Sequence, residues 1–310
     1  MDIDAVRLHF NPATQQALNA VLGFLMFGVA LDTRAQDFRR VLRMPVAVGV
    51  GIAAQLLLLP ACTFCLTLIL QPAPSIALGM LLVACCPPGN ISNIITHRAG
   101  GNVALSVSMT TITNALNIVA MPLNLAFWGH LHPTAAPLLR AVEVSPVEVG
   151  LHILLIIGLP FVLGISCAQR WPALTARIKK PVGVASLVFL LVLIIGGVAA
   201  NWQYFLDYIG VVLLAVITHD SLAYALGYGC AVLVGLKEYE RRAMSIEVGI
   251  RNAGLGLVLV LGFFDGLGGM AIVAASWGIL DIGIGLALAR WWARRPAERT
   301  AFEVWRRSEY

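Results

Sequence analysis

The stretch Ala84-Cys85-Cys86-Pro87-Pro88-Gly89-Asn90-Ile91-Ser92-Asn93 interrupts a long apolar run. Two consecutive prolines remove two backbone donors and free the carbonyls one turn earlier, near Val83 and Ala84. In hydrocarbon each orphaned backbone group costs several kcal/mol, so such a break persists only where it lines protein or a watery cavity. A second weak point, Glu247-Val248-Gly249-Ile250-Arg251-Asn252-Ala253-Gly254, sits in the corresponding place of the second half. Paired interrupted spans in matching halves point to the binding site of a secondary transporter.

Working outward, the composition fits a membrane setting. The chain has 310 residues, 59% hydrophobic and only 12% charged, whereas soluble domains are about a quarter charged. Apolar stretches of roughly 18 to 25 residues recur, each able to cross a core of about 30 Å. They predict about nine spans, near 13–31, 44–70, 75–97, 102–128, 146–168, 181–201, 207–235, 240–264 and 269–290. Connections are short and no hydrophilic domain is inserted, so residues 1–310 read as one integral-membrane transporter unit.

The formal charge of +5 is distributed by topology. One side collects Arg34, Arg39, Arg40, Arg43 and Arg98, then Arg170, Arg177, Lys179, Lys180, Lys237, Arg241 and Arg242. The basic tail, 291–310, adds Arg294, Arg295, Arg299, Arg306 and Arg307, while the opposite side keeps Arg7 and Arg140. This positive-inside pattern predicts an outside N-terminus and a cytoplasmic C-terminus in the cell inner membrane. It is not a nucleic-acid footprint, and no nucleic-acid partner is expected. The start, Met1-Asp2-Ile3-Asp4, lacks the basic n-region of a signal peptide. The six cysteines fall mostly within spans, so no disulfide framework is expected. Cys85 and Cys86 read as small apolar packing beside the break.

Four charged residues, Asp220, Glu247, Arg251 and Asp281, remain inside spans, with His152 and His219. A mid-membrane charge costs at least about 2.5 kcal/mol, so each is a functional candidate unless it is paired. Glu247 and Arg251, four apart, would share a face on an intact helix and could form an internal ion pair. His152 lies near a span end and reads as a packed histidine. His219-Asp220 is accompanied by no nucleophile elbow. No HExxH motif or phosphate-binding glycine loop appears. A membrane-embedded enzyme or sensor, the competing class, therefore has no catalytic constellation behind it.

Oxygen ligands are better represented. Sodium, a hard cation, takes about five or six oxygens from hydroxyls, amides, carboxylates and loose carbonyls. Ser92 and Asn93 follow the first break. Ser106 and Thr110, one turn apart on the next helix, share a face. Glu247 supplies negative charge from the second break and Gln55 a further amide. Each hydroxyl alone could simply bond a carbonyl one turn back. Together with unwound backbone they form what a buried cation requires. Half-helices starting near Asn90–Asn93 and near Asn252 direct positive N-termini inward, which favours an organic carboxylate or sulfonate.

These residues resemble the bile acid:sodium symporter family. Cys85-Cys86-Pro87-Pro88-Gly89 through Ser92-Asn93, then Gly101-Asn102-Val103-Ala104-Leu105-Ser106 and Thr110, is similar to its first crossing region. Ile246-Glu247-Val248-Gly249 with Asn252 is similar to its second, and Phe27-Gly28-Val29-Ala30-Leu31 and Ala54-Gln55 fit the same alignment. The resemblance implies an all-α integral membrane protein of two inverted repeats, with a core domain moving against a panel domain. The first of ten helices would be missing. Region 13–168 would hold the first repeat, short of one helix, and the start of the second, with 146–290 as the second repeat. The third and eighth spans would be the broken crossing helices, and the first, fifth and sixth roughly the panel.

By the same resemblance one sodium would lie among Ser92, Asn93, Ser106, Thr110 and Glu247. A second would use Gln55, Glu247 and carbonyls at Val248 and Ile250, with a glutamine where this chain has Arg251. That guanidinium puts a permanent positive charge into a cation site, making Arg251 a surrogate for the second ion. Asp220 and Asp281 stand where the family often has asparagine, which suggests charge compensation. Asn90, Asn252 and Asp281 would face the substrate, with Asn90 and Pro88 departing from the family pattern. The expected function is a symporter carrying a small organic anion by alternating access, coupled to sodium. A proton-coupled or sodium-independent carrier of the same fold is the alternative.

Overall fold

The computed structural model describes residues 3–6, 12–31, 44–89, 91–141, 151, 154–200 and 202–295. Apart from a 3₁₀ turn at Ile3–Ala5 and one isolated β-bridge, the regular structure among them is helical. Helix α1 spans Pro12–Leu31, and α2 runs from Pro45 to Leu70. Within α2 a π turn occupies Ala54–Leu58. Pro60 cannot donate to the carbonyl four residues earlier and its ring presses on it, so the helix widens just before the proline. The same offset recurs later, where a π turn at Leu154–Gly158 precedes Pro160 and α6, Leu159–Arg170.

The predicted third span is two helices, α3 (Pro74–Cys85) and α4 (Ile91–Arg98). Helix α5 covers Val103–Leu131, α7 Pro172–Ala200 and α8 Trp202–Leu233. The eighth predicted span is likewise split, into α9 (Glu238–Gly249) and α10 (Ala253–Phe263), before α11 (Gly268–Ala293). Four stretches are long and apolar enough to cross a bilayer by length and composition: Pro45–Leu70, Val103–Leu131, Val212–Leu233 and Gly268–Ala293. Helix α7 starts earlier than the expected 181, because Pro172 at its first turn suits a helix start and the basic residues behind it are good helix formers.

Burial is inverted relative to a soluble protein. Leu57, Ile69, Val119, Leu123, Val192 and Leu214 are exposed, while Thr63, Ser75, Ser106, Asp220 and Glu247 are buried. Apolar flanks of this kind face lipid, and the polar groups must find partners inside. Helices α3 and α10 are buried along nearly their whole length. Close packing depends on small residues. A Cβ on Gly79 of α3 would come within 2.9 Å of the Met270 backbone of α11. One on Gly227 of α8 would come within 2.6 Å of the Met244 carbonyl of α9. Backbones approach this closely in membrane bundles because no hydrophobic force distinguishes helix from lipid, leaving packing to hold them.

Helices α1, α6 and α7 pack on one another and meet the rest chiefly through α10. Helices α3, α8, α9 and α11 form the other group, flanked by α2 and α5. The six cysteines are all free. One residue of the basic side is enclosed by the bundle. Arg242 is buried at 3% exposure and gathers the last carbonyls of two helices. Its Nη1 donates to Ala99 O (3.0 Å) and Trp292 O (3.1 Å), and Nη2 donates to Arg295 O (2.9 Å). Its Nε pairs with Glu238 at 3.0 Å. A cation there satisfies orphan carbonyls and opposes the negative helix ends.

Candidate functional site

The two interruptions cross. Pro88 and Arg251 form an antiparallel bridge, and the Asn252 amide donates to Pro87 O at 2.8 Å. In a continuous helix that amide would serve Val248 O, so the Val248 carbonyl is released from its usual donor. The Arg251 amide likewise leaves Glu247 O and donates to Asp281 Oδ2 on α11 at 3.3 Å. The second half-helix, α10, then starts from an internal cap. Asn252 Oδ1 accepts from Leu255 N at 3.0 Å and so caps α10. Asn102 caps α5 the same way, accepting from Leu105 N at 3.1 Å. Both caps are readable as Asn before an apolar run.

Beside the crossing lies Glu247, fully buried on α9. Ser106 Oγ donates to Glu247 Oε2 at 2.6 Å and also lies 2.8 Å from Asn93 Oδ1. Thr110 Oγ1 meets Glu247 Oε1, lies 3.4 Å from Asn93 Oδ1, and lies 3.0 Å from the Ser106 carbonyl. A hydroxyl carries one proton. Two hydroxyls therefore face five acceptor contacts, more than their own two protons can serve. Ser92 adds a fully buried Oγ with no hydrogen-bond partner. Helices α4, α5 and α9 thus bring Ser92, Asn93, Ser106, Thr110 and Glu247 to one place in the fold. That chemistry suits a small hard cation, which accepts several oxygens at once and supplies the missing positive charge.

Glu247 and Arg251 do not share a helix face, because α9 ends at Gly249. Among the described residues they form no ion pair, so the internal salt bridge that an intact helix would have allowed is absent. Arg251, 2% exposed, instead sends Nη1 to Gln55 Oε1 (3.3 Å) in the π turn of α2 and to Cys86 O (3.2 Å) in the first break. Its Nε and Nη2, and Gln55 Nε2, have no partner. The guanidinium therefore sits against Gln55 and a carbonyl of the first break. Of the other candidates, Asn90 and His152 lie outside the described residues. Asp281 faces the second break, with Oδ1 unbonded.

A further polar group sits between α8 and α11. His219 Nε2 lies 2.6 Å from Thr63 Oγ1, and its ring packs edge-on against Trp277 at 4.4 Å. One turn along, Tyr224 donates to the Asp281 carbonyl at 2.7 Å. Asp220 is fully buried, and neither carboxylate oxygen has a partner. The roles of Thr63, Tyr224 and Cys86 O were invisible in the sequence, because each meets its partner from a distant helix and no local motif marks it.

Broken helices crossing inside an apolar bundle, with buried charge at the crossing, define a multi-pass membrane transport protein. The chain belongs to the sodium/bile acid symporter family, whose model matches residues 19–207. It is 30% identical over 280 residues to an uncharacterized sodium-dependent transporter of Bacillus subtilis, YocS, covering 90% of this chain and 84% of that one. A probable chloroplast sodium/metabolite cotransporter of Oryza sativa is 32% identical across 88% of this chain and 63% of its own length. The human ileal sodium/bile acid cotransporter is 26% identical, covering 78% of this chain and 68% of that protein.

Proposed function

We propose that the protein is a symporter that carries a small organic anion across the cell inner membrane, driven by sodium bound at Glu247. The observation that carries this reading is the oxygen cluster of Glu247, Ser106, Thr110 and Asn93 at the crossing. Sodium there would neutralise Glu247 and tie α4, α5 and α9 together. The half-helix N-termini of α4 and α10, with Asn90 and Asn252, would offer amide dipoles to the anion. Sodium and anion would then raise each other's affinity by the same factor. The separate packing of α1, α6 and α7 supports alternating access by motion of that group against the rest. The charge asymmetry supports nine spans with the N-terminus outside, which cysteines introduced at Asn11 and Ser308 would check by labelling from opposite faces.

The test is uptake of bile, keto and hydroxy acids by proteoliposomes under a sodium gradient, with potassium as control. Accumulation that requires sodium is the expected result; accumulation equal in potassium would overturn sodium coupling. Arg251 supports a reading of coupling to one sodium instead of two, since its guanidinium meets Gln55, one of the ligands the resemblance implies for a second sodium. Should sodium be dispensable, a sodium-independent carrier of the same fold becomes the second reading.

A further inference from the structure

The charges buried in the described part of the molecule do not balance. They are Asp220, Arg242, Glu247, Arg251 and Asp281. Arg242 is neutralised by Glu238. Three acids and one base remain, a deficit of two positive charges if all four are ionised. Helix dipoles do not close the gap, because each break presents one positive N-terminus and one negative C-terminus. One sodium at Glu247 leaves one charge uncompensated, and burying an isolated charge in a membrane core is costly enough that the group is neutralised instead.

Which acid must be neutral follows from its contacts. Glu247 is bonded by two hydroxyls, which suits a carboxylate. Asp281 accepts the Arg251 amide, which also suits a carboxylate. Asp220 receives nothing at either oxygen and is fully buried. Its place on α8, one turn before the Tyr224 that bonds the Asp281 carbonyl, puts it on the face turned toward another acid. The other titratable or charged groups on the elements packed against α8 supply no cation to it. From α2 come Cys62 and Cys65, from α3 Cys85, from α11 Asp281 and the distant Arg290. Helix α9 offers Glu247, and at its far end Glu238, Tyr239, Glu240, Arg241 and Arg242. Helix α7 carries Arg177, Lys179 and Lys180 only in its first turns, and α8 itself adds His219 and Tyr228, with Tyr204, Asp207 and Tyr208 three turns and more away at its start. Arg251 is engaged with Gln55 and Cys86 O.

We propose that Asp220 holds a proton in this conformation, and that this proton is the carrier's second coupling ion beside the sodium at Glu247. The proton would be taken up where Asp220 opens to one side and released where it opens to the other. The sodium half of the proposal rests on the function argued above; the proton on Asp220 does not.

Infrared spectroscopy of the protein reconstituted in liposomes at neutral pH reads this directly, through the carbonyl stretch of a protonated carboxylic acid. We expect one such band in the wild type, shifted after transfer into deuterated buffer. The band should be lost in Asp220→Asn and retained in Glu247→Gln. Asparagine keeps the shape of the neutral acid, and folding is checked by sodium-dependent thermal stabilisation, which Asp220→Asn should keep. A wild type without the band, or a band that survives in Asp220→Asn, would overturn the assignment. A band that is lost in the variant yet never exchanges with deuterium would mean a fixed structural proton and would overturn the coupling role. If the wild type shows no sodium-dependent stabilisation, the sodium reading fails while the band still decides Asp220.

Discussion

The two interruptions meet side by side, yet they are made by different means. At Pro87 and Pro88 two successive amide hydrogens are missing, which interrupts the hydrogen-bond ladder of α3 from within the chain. At Gly249–Asn252 no proline is present, and every amide could in principle continue α9. There the Arg251 amide is taken by Asp281 and the Asn252 amide by Pro87 O. One break is covalent and local, while the other is held open by its neighbours. The same asymmetry extends to charge, since the first break contributes neutral oxygens and the second contributes Glu247 and Arg251.

Removing the charge of the second break should have the largest effect. Two unit charges about 4 Å apart repel by roughly 4 kcal/mol at an effective dielectric of 20, near three decades of affinity. Arg251→Gln should therefore admit a second sodium and move the Hill coefficient of sodium-dependent uptake from about one toward two. A wild type that already shows two-ion steepness would remove Arg251 from this role. Next in size is Glu247→Ala. At sodium a hundredfold above its Kd, bound ion stabilises by about 2.7 kcal/mol, and this variant should lose all of it. Thermal unfolding in sodium against potassium measures the difference, and an unchanged sodium response would rule out Glu247 as the ligand.

Ser106→Ala removes one oxygen and one hydrogen bond to a charged group, worth about 1.5–3 kcal/mol. Sodium titration should show affinity weakened roughly 10- to 150-fold, with the fold intact. The two breaks themselves supply the smallest effects. Asn252→Ala deletes the cap of α10 and should lower stability by about 1 kcal/mol. Pro88→Ala should cost still less, roughly 0.4–1 kcal/mol through the freer unfolded chain, because Pro87 still interrupts the ladder and the bridge to Arg251 remains. A Pro88→Ala variant that loses several kcal/mol in denaturant unfolding would show that one ring is not enough to keep the first break local.

Much of the site was legible because its signals are one-dimensional. Pro87-Pro88 announces a break by what it lacks. Ser106 and Thr110 declare a common face by their spacing, and a lone Glu247 in an apolar run declares itself by cost. The spacing of Glu247 and Arg251 left the pairing open for the complementary reason, since a four-residue interval implies contact only if the helix continues. Arg242 was counted only among the cations of the basic side, although the ends of α4 and α11 enclose it. Its partners are carbonyls, which no sequence pattern distinguishes.

The sequence by itself determined the all-helical membrane class, the first break, the side asymmetry of Lys and Arg, and which side chains had to justify burial in a membrane. Those follow from chemistry carried by single residues or by neighbours along the chain. Tertiary structure alone decided that Ser106 meets Glu247 across 141 positions and that Arg251 turns to Gln55 and Cys86 O. It also left Asp220 without a partner. Hydrogen bonds act over about 3 Å, so which distant groups meet depends on how the helices pack, and packing is a property of the whole bundle.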